Sequence, residues 1–525
     1  MSMNQTYEDY KKVATETSQN TMAFFKLETA IANVPVTQFL ISSLYRSILM
    51  NSTKAKNVTP NADDLFSVLY EDDVTLPSYF TNLEFHDLLN GSLNIPKGAS
   101  KNKEQYLISP LIPEIASFGG NMRRGSSWNS GGYILQIIAN SSRDKEQFLS
   151  VIKDLFNSLS ANSKNNDLIW TEFLKQEFNA VGISLSKTVN RPIETDVKNF
   201  EDVKESLVTD VWNKIKKSVY HESTFSKTVI EDLKSLCQIE SQNKVTRQQW
   251  IGLLESYFRL LIFNHSINTL NQSRSYFSIL LKILDSDGLN EMSEVCYYDF
   301  INASPIQKSN TNRLLNISSR SSDYVNDNIH MYCLYNHFIY HLFEEFDIEY
   351  FTEETSKEKI IETSNFLLGE LKTTGRLSSF YSEYRRENEH LINKISVKSD
   401  RQLAQISECL IYISQKKVLP KDLKSYIPDV NYLFSRRKGV IGKPYMFDLG
   451  SGTISLLTAL IFKKKSDMNF LSGLDYIEAL LDYNIELSIT DISSGNIKDI
   501  MQSLGIIIDS PDTEGGVLIV KPGWI

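Results

Sequence analysis

Cysteine is scarce in this chain: the 525 residues hold only Cys237, Cys296, Cys333 and Cys409, with no CxxC pair. Such spacing disfavours a zinc knuckle and a disulfide framework and fits a reducing compartment, so a cytoplasmic location is expected. No uninterrupted run of about 18 apolar residues occurs. Met1 to Lys12 is polar and acidic instead of basic then apolar, so neither a membrane span nor a signal peptide is expected. Glycine and proline are few, at 22 and 13, which excludes collagen-like and low-complexity scaffolds. A cationic excess is missing as well. With a net charge of −9, the whole molecule is no histone-like polyanion binder, and any nucleic-acid surface must be a local patch.

What is present is enough apolar material to fold. Hydrophobic residues make up 41% and charged residues 23%, and the length corresponds to roughly two to four domains. Apolar residues recur at three and four in Glu146–Leu159, Asp167–Phe178, Val203–Val219, Gln248–Leu270, Asn326–Phe346 and Gln402–Ile413, the period of helices with one buried face. Val34 to Met50 carries Gln38 and Arg46 within an apolar run, as an amphipathic core helix would. Strand-like runs are limited to Gly132–Ala139, after a glycine-rich loop, and two short stretches at the C-terminus. No repeat of fixed period is found.

Polar or Pro/Gly-punctuated stretches at Asn51–Asp64, Ala303–Ser322 and Val418–Pro444 mark loops or boundaries. They divide the chain into a helical region 1–302, with the glycine-rich loop and short strand near 118–140, a basic helical region 303–430, and a terminal domain 431–525. Charge follows this division. Lys372 to Lys443 holds 15 Lys or Arg against 7 Asp or Glu, about +8, whereas Asp448 to Ile525 holds 5 against 11, about −6. Arg376, Arg385, Arg386, Lys416, Lys417, Arg436, Arg437 and Lys438 therefore form the best candidate phosphate-contacting surface, with a solvated helix face as the alternative.

The last eighty residues are the most readable. Ser451 to Phe462 reads as an apolar helix closed by Lys463, Lys464 and Lys465, cations suited to the negative end of its dipole. A second helix spans about Leu471 to Tyr483, with Leu474, Ile477 and Leu481 on one stripe, and a third spans Ser494 to Leu504. Two β-branched runs, Gly505–Asp509 and Gly516–Val520, flank a turn at Ser510–Glu514. The expected fold is therefore mainly α, a multi-helical body with a small winged-helix-like C-terminal domain of three helices plus a β-hairpin. Asn496, Lys498, Asp499 and Gln502 would then lie on the outward face of the third helix. Because the domain is acidic, these residues are expected to contact a protein partner instead of DNA bases.

Three incomplete chemical patterns stand beside this reading. Phe447-Asp448-Leu449-Gly450-Ser451-Gly452 looks like the opening loop of a Rossmann-type S-adenosylmethionine-dependent methyltransferase, in which glycines admit a methyl donor. Ile454 stands where the next glycine is expected, so a helix N-cap loop is the competing assignment. Gly442-Lys443-Pro444 lacks the Ser or Thr of a phosphate loop, and Arg437 stands where its first glycine would be, so no nucleotide hydrolysis is expected.

His330, Cys333, His337, His341 and Glu344 are spaced three, four, four and three, one stripe of a helix. That stripe is a weak metal-site candidate for a metal-dependent hydrolase, because one helix cannot enclose a tetrahedral ion alone. Flanking apolar residues favour a packed helix. The segment Phe118 to Trp128 places Arg123, Arg124 and Trp128 among glycines, groups able to fork onto phosphate and stack on a base. No catalytic residue and no cofactor are assigned.

Arg436-Arg437-Lys438-Gly439, then Gly442-Lys443-Pro444-Tyr445 and the closing Leu504-Gly505-Ile506-Ile507-Ile508-Asp509-Ser510-Pro511-Asp512, resemble the G component of bacterial phosphorothioation-dependent DNA restriction systems. The resemblance covers the order and texture of the last hundred residues. It implies a cytoplasmic accessory subunit of an antiviral defence complex, acting beside separate ATPase and DNA-processing partners and distinguishing unmodified foreign DNA. Joined to the charge reading above, it leads to the expectation of a non-enzymatic subunit that bridges partner proteins and DNA, the latter through a local basic patch.

Overall fold

A computed structural model describes residues 40–41, 44–45, 47–48, 130–159, 200–213, 224–241, 245–247, 249–265, 383, 386, 434–436, 445–447, 449–510 and 516–525. These are mainly α-helical, with one small three-stranded antiparallel sheet and one short hairpin. Residues 40, 41, 44, 45, 47 and 48 are helical, and Leu40, Ile41, Leu44, Tyr45 and Ile48 are buried, as the Val34–Met50 pattern requires.

The first full helix, α1 (Ser130–Asn140), corrects the expected strand at Gly132–Ala139. Tyr133, Ile134, Leu135, Ile137, Ile138 and Ala139 are all buried, and the one polar residue among them, Gln136, is half-buried, so the run shows almost no polar face. A continuous apolar run gives the same signal for a buried strand and a buried helix. Helix α2 (Lys145–Leu159) begins with reciprocal side-chain caps: Gln147 N–H donates to Asp144 Oδ1 at 2.8 Å, and Arg143 N–H donates to Gln147 Oε1 at 2.7 Å. At its other end the buried Arg247 guanidinium donates to the Ser158 carbonyl at 3.1 Å and to the Leu159 carbonyl. A cation there complements the negative end of the helix dipole and satisfies carbonyls with no intrahelical donor.

Helix α3 (Glu201–Leu207) runs into a π-helical turn, Val208–Trp212. Phe148 on α2 stacks against Trp212 at 5.7 Å, Phe156 meets Phe200 at 6.1 Å, and Tyr45 stacks on Phe156 at 5.3 Å. Aromatic contacts thus tie the 40–48 segment, α2 and α3 together. Helix α4 (Thr224–Ser241) packs on α2, and α5, residues 249–265, is buried along almost its whole length.

Two antiparallel strands, β1 (Phe434–Arg436) and β2 (Tyr445–Phe447), pair with Phe434 opposite Phe447 and Arg436 opposite Tyr445. The terminal module follows: α6 (Ser451–Lys464), β3 (Phe470–Ser472), α7 (Gly473–Leu480) with a 3-10 turn Leu481–Tyr483, α8 (Ile489–Ser493), α9 (Asn496–Ser503), β4 (Ile507–Asp509) and β5 (Val517–Val520). Its sheet order is β3-β5-β4, all antiparallel. Leu471, Ile507, Val517 and Ile519 are buried on one face of that sheet, while Phe470 and Ile508 on the other are exposed.

The first helix and the closing hairpin match the sequence expectation, whereas the short helix α8 and the third strand β3 go beyond the expected three helices plus a hairpin. The second expected helix does not begin at Leu471. Its first residues are strand β3, and Ser472 then starts α7 through a capping box: Asp475 N–H donates to Ser472 Oγ at 3.1 Å, and Ser472 N–H donates to Asp475 Oδ2 at 3.3 Å. The third helix starts at Asn496 instead of Ser494 because Gly495, at φ +85°, stands in a conformation that breaks the helix. Among the described residues no helix is long and apolar enough to cross a membrane.

Candidate functional site

Helix α4 places an acid on its own apolar stripe. Val229, Asp232, Leu233 and Leu236 stand at helical spacing, and all four are buried. A buried carboxylate requires compensation, which comes from the terminal module. Lys464, in the last turn of α6, holds its ammonium 3.0 Å from Asp232 Oδ1, and the Tyr483 hydroxyl donates to the same oxygen at 3.0 Å. Tyr257 on α5 donates to Asp232 Oδ2 at 3.4 Å, and Thr228 also hydrogen-bonds the carboxyl. The Lys464 ammonium lies 4.8 Å from the centre of the Tyr483 ring, within cation–π reach.

Beside this cluster, Asn264 Nδ2 donates to the Tyr483 carbonyl at 3.0 Å, and Asn484 Nδ2 donates to Asn264 Oδ1 at 3.2 Å. Burial raises the Asp232 carboxyl above its ordinary value, and Lys464 opposes that shift. Burial also raises the phenols of Tyr257 and Tyr483, and the neighbouring Asp232 charge adds to both shifts. These phenols therefore stay protonated and act as hydrogen-bond donors. Chemically, the cluster is a polar joint between the helical body and the terminal module.

A second buried acid holds the first described helical segment. Glu255 on α5 pairs with Arg259 at 2.9 Å and accepts from the Leu40 and Ile41 amides at 3.5 and 3.3 Å. Burial raises the Glu255 carboxyl, opposed first by Arg259 and then by the two amides. Nearby, the Tyr133 hydroxyl lies 2.6 Å from His265 Nδ1, and their rings meet edge to face at 5.3 Å.

The sequence-derived candidates fall as follows. Arg386 is exposed and 3.4 Å from Glu383, one helical turn earlier. Arg436 lies in β1 opposite Tyr445. Arg376, Arg385, Lys416, Lys417, Arg437, Lys438, Arg123, Arg124 and Trp128 lie outside the described residues, as do His330, Cys333, His337 and His341. Asn496 opens α9; Asp499 and Gln502 are exposed on it. Lys498 is engaged 2.7 Å from Asp509 on β4 and is mostly covered. Gly450 is the N-cap residue of α6, preceded by β2, so the local order is strand, glycine, helix. Strand β2 pairs antiparallel with β1, whereas the methyl-donor loop of a Rossmann domain sits in a parallel sheet.

Sequence reading passes over Asp232, Tyr483, Glu255 and Arg259 and sees in Lys464 only a helix-terminal cation. A charged residue on an apolar helical stripe is the available signal for Asp232. Compared with protein-family models, curated proteins and solved structures, the chain matches none.

Proposed function

We propose that the chain is a non-enzymatic accessory subunit of a bacterial DNA-defence complex that contacts DNA through a basic segment and partner proteins through its terminal module. The observation that carries the DNA half is the hairpin. Strands β1 and β2 pair Arg436 with Tyr445, and the connection between them has the sequence Arg437-Lys438-Gly439-Val440-Ile441-Gly442-Lys443-Pro444. Four cations thus belong to one short hairpin sequence, a concentration suited to phosphates.

The partner half draws on the terminal module. Its element order and its β3-β5-β4 sheet support a winged-helix reading, with α9 in the recognition position and strands β4 and β5 flanking the wing position. On that reading α9 is poorly suited to a DNA groove, because its single lysine is tied to Asp509 and it also carries Asp499. A protein-contacting role accords better with this charge, and a fold alone does not decide between them.

The test is binding of a fluorescent DNA duplex by the full chain, compared with a variant carrying Arg436→Glu, Arg437→Glu and Lys438→Glu. Binding that weakens steeply with salt and disappears in the variant supports the reading. Unchanged binding at moderate salt refutes it.

A further inference from the structure

All six exposed large hydrophobic residues among those described, Met468, Phe470, Leu474, Leu481, Leu504 and Ile508, belong to the terminal module. Exposed apolar residues that line up on one face mark an interaction surface better than scattered ones do. Helix α7 and its 3-10 turn give it a definite pattern. Tyr476, Leu480 and Tyr483 face inward and are buried. Leu474, at 45% exposure, and Leu481, at 46%, lie one heptad apart on the opposite side, with half-buried Ile477 between them. This is the stripe legible in the sequence, but it is turned outward.

Each of these three residues is followed directly by an acid: Asp475, Glu478 and Asp482. At about 100° per residue, the carboxylates form a row alongside the apolar stripe. Asp475 serves the Ser472 cap. Among the described residues no ion pair engages Glu478 or Asp482.

We propose that this face of α7 docks an amphipathic helix of a partner protein whose apolar stripe is bordered by Lys or Arg. The argument is one of complementarity. The apolar stripe at spacing i, i+3, i+7 matches the anchors of a helix laid along it. The carboxylate row beside the stripe selects cations at the border and disfavours an acidic helix. The inference rests on the reading of the module as partner-facing and adds to it the docking surface and the chemistry of its occupant.

The probe is a synthetic amphipathic helix of leucine and lysine, compared with a leucine–glutamate helix and with a scrambled leucine–lysine peptide, titrated into the full chain by fluorescence anisotropy. The expected order is clear binding of the leucine–lysine helix only. Leu474→Ser with Leu481→Ser, both at exposed positions, is expected to weaken it about tenfold or more. Glu478→Lys with Asp482→Lys keeps the apolar stripe and is expected to move preference toward the leucine–glutamate helix.

Absence of binding, equal binding of the scrambled peptide, or unchanged affinity in both variants overturns the proposal. Self-association of the chain that is abolished in the Leu474→Ser, Leu481→Ser variant also overturns it, because the occupant is then a second copy. DNA binding by the Leu474→Ser, Leu481→Ser variant, which keeps every charge, is expected to equal that of the parent, and its loss would assign the face to nucleic acid. Failure of the parent chain to bind DNA would refute the DNA reading while leaving the peptide result intact.

Discussion

The Tyr483 hydroxyl donates a 3.0 Å hydrogen bond to the Asp232 carboxylate across 251 positions of sequence, and Lys464 reaches the same oxygen at 3.0 Å. Together with the Asn264 bonds to Tyr483 and Asn484, this arrangement ties the terminal module to the helical body. Side chains that converge from three helices hold a fixed geometry only while each polar atom has its partner.

Lys464→Met tests that dependence. Removing the cation leaves a buried carboxylate short of compensation, and the expected cost is about 3 kcal/mol at neutral pH. Replacing both partners, Lys464→Met with Asp232→Asn, is expected to recover most of that loss, because neither charge is then stranded. Urea unfolding followed by Tyr and Trp fluorescence measures both. Equal losses in the single and double variants would contradict the pairing.

The pH dependence has a definite sign. Asp232 and Glu255 are both raised in the folded chain by burial, so the folded state holds their protons more tightly than the unfolded state. The stability each contributes is full below the unfolded carboxyl value, near 4, and disappears as pH rises through the folded value. Relative to Asp232→Asn or Glu255→Gln, the parent should therefore lose unfolding free energy as pH is raised from 4. Unfolding midpoints across that range check it, and a relative gain with rising pH would contradict it.

Glu255→Ala is expected to release the segment around residues 40–48. It removes the acceptor of the Leu40 and Ile41 amides and the carboxylate that pairs with the buried Arg259, a loss of about 3 kcal/mol. Hydrogen exchange should show the amides of 40–48 losing protection before those of α6. Uniform loss of protection would point to a general effect instead.

Gly473→Ala is expected to destabilise the terminal module by about 1–3 kcal/mol. A Cβ there would come within 2.9 Å of Ile489 Cδ1 and Val517 Cγ2 and 3.0 Å of Ile492 Cδ1. Limited proteolysis within 449–525 reads the effect, and an unchanged cleavage rate would show that these side chains yield freely.

The legibility of the fold follows physical lines. Helix α6 is readable because its apolar run ends in three lysines, and the hairpin β4–β5 because β-branched runs flank a turn composition. Strand β3 merges into the following helix in the sequence pattern, since three residues are too few to show a period. Helix α1 reads as a strand because apolar residues on nearly every side, Gln136 apart, leave no helical period to see. Helix α4 escapes the sequence pattern, and the charged residues at its joint gain their meaning only from partners far away in the chain. Of the proposed binding surfaces, charge partition is visible at once. The outward turn of Leu474 and Leu481 is not, because α7 is apolar on two faces and sequence alone does not say which of them is covered.

If cations of the β1–β2 hairpin meet phosphates as proposed, the salt dependence of DNA binding reports it. The predicted result is a logarithmic affinity that falls linearly with the logarithm of salt concentration. When Arg436, Arg437 and Lys438 are changed to Glu, the slope should shrink by about 0.9 for each phosphate no longer neutralised. Affinity indifferent to salt, or a slope unchanged in that variant, would contradict the account.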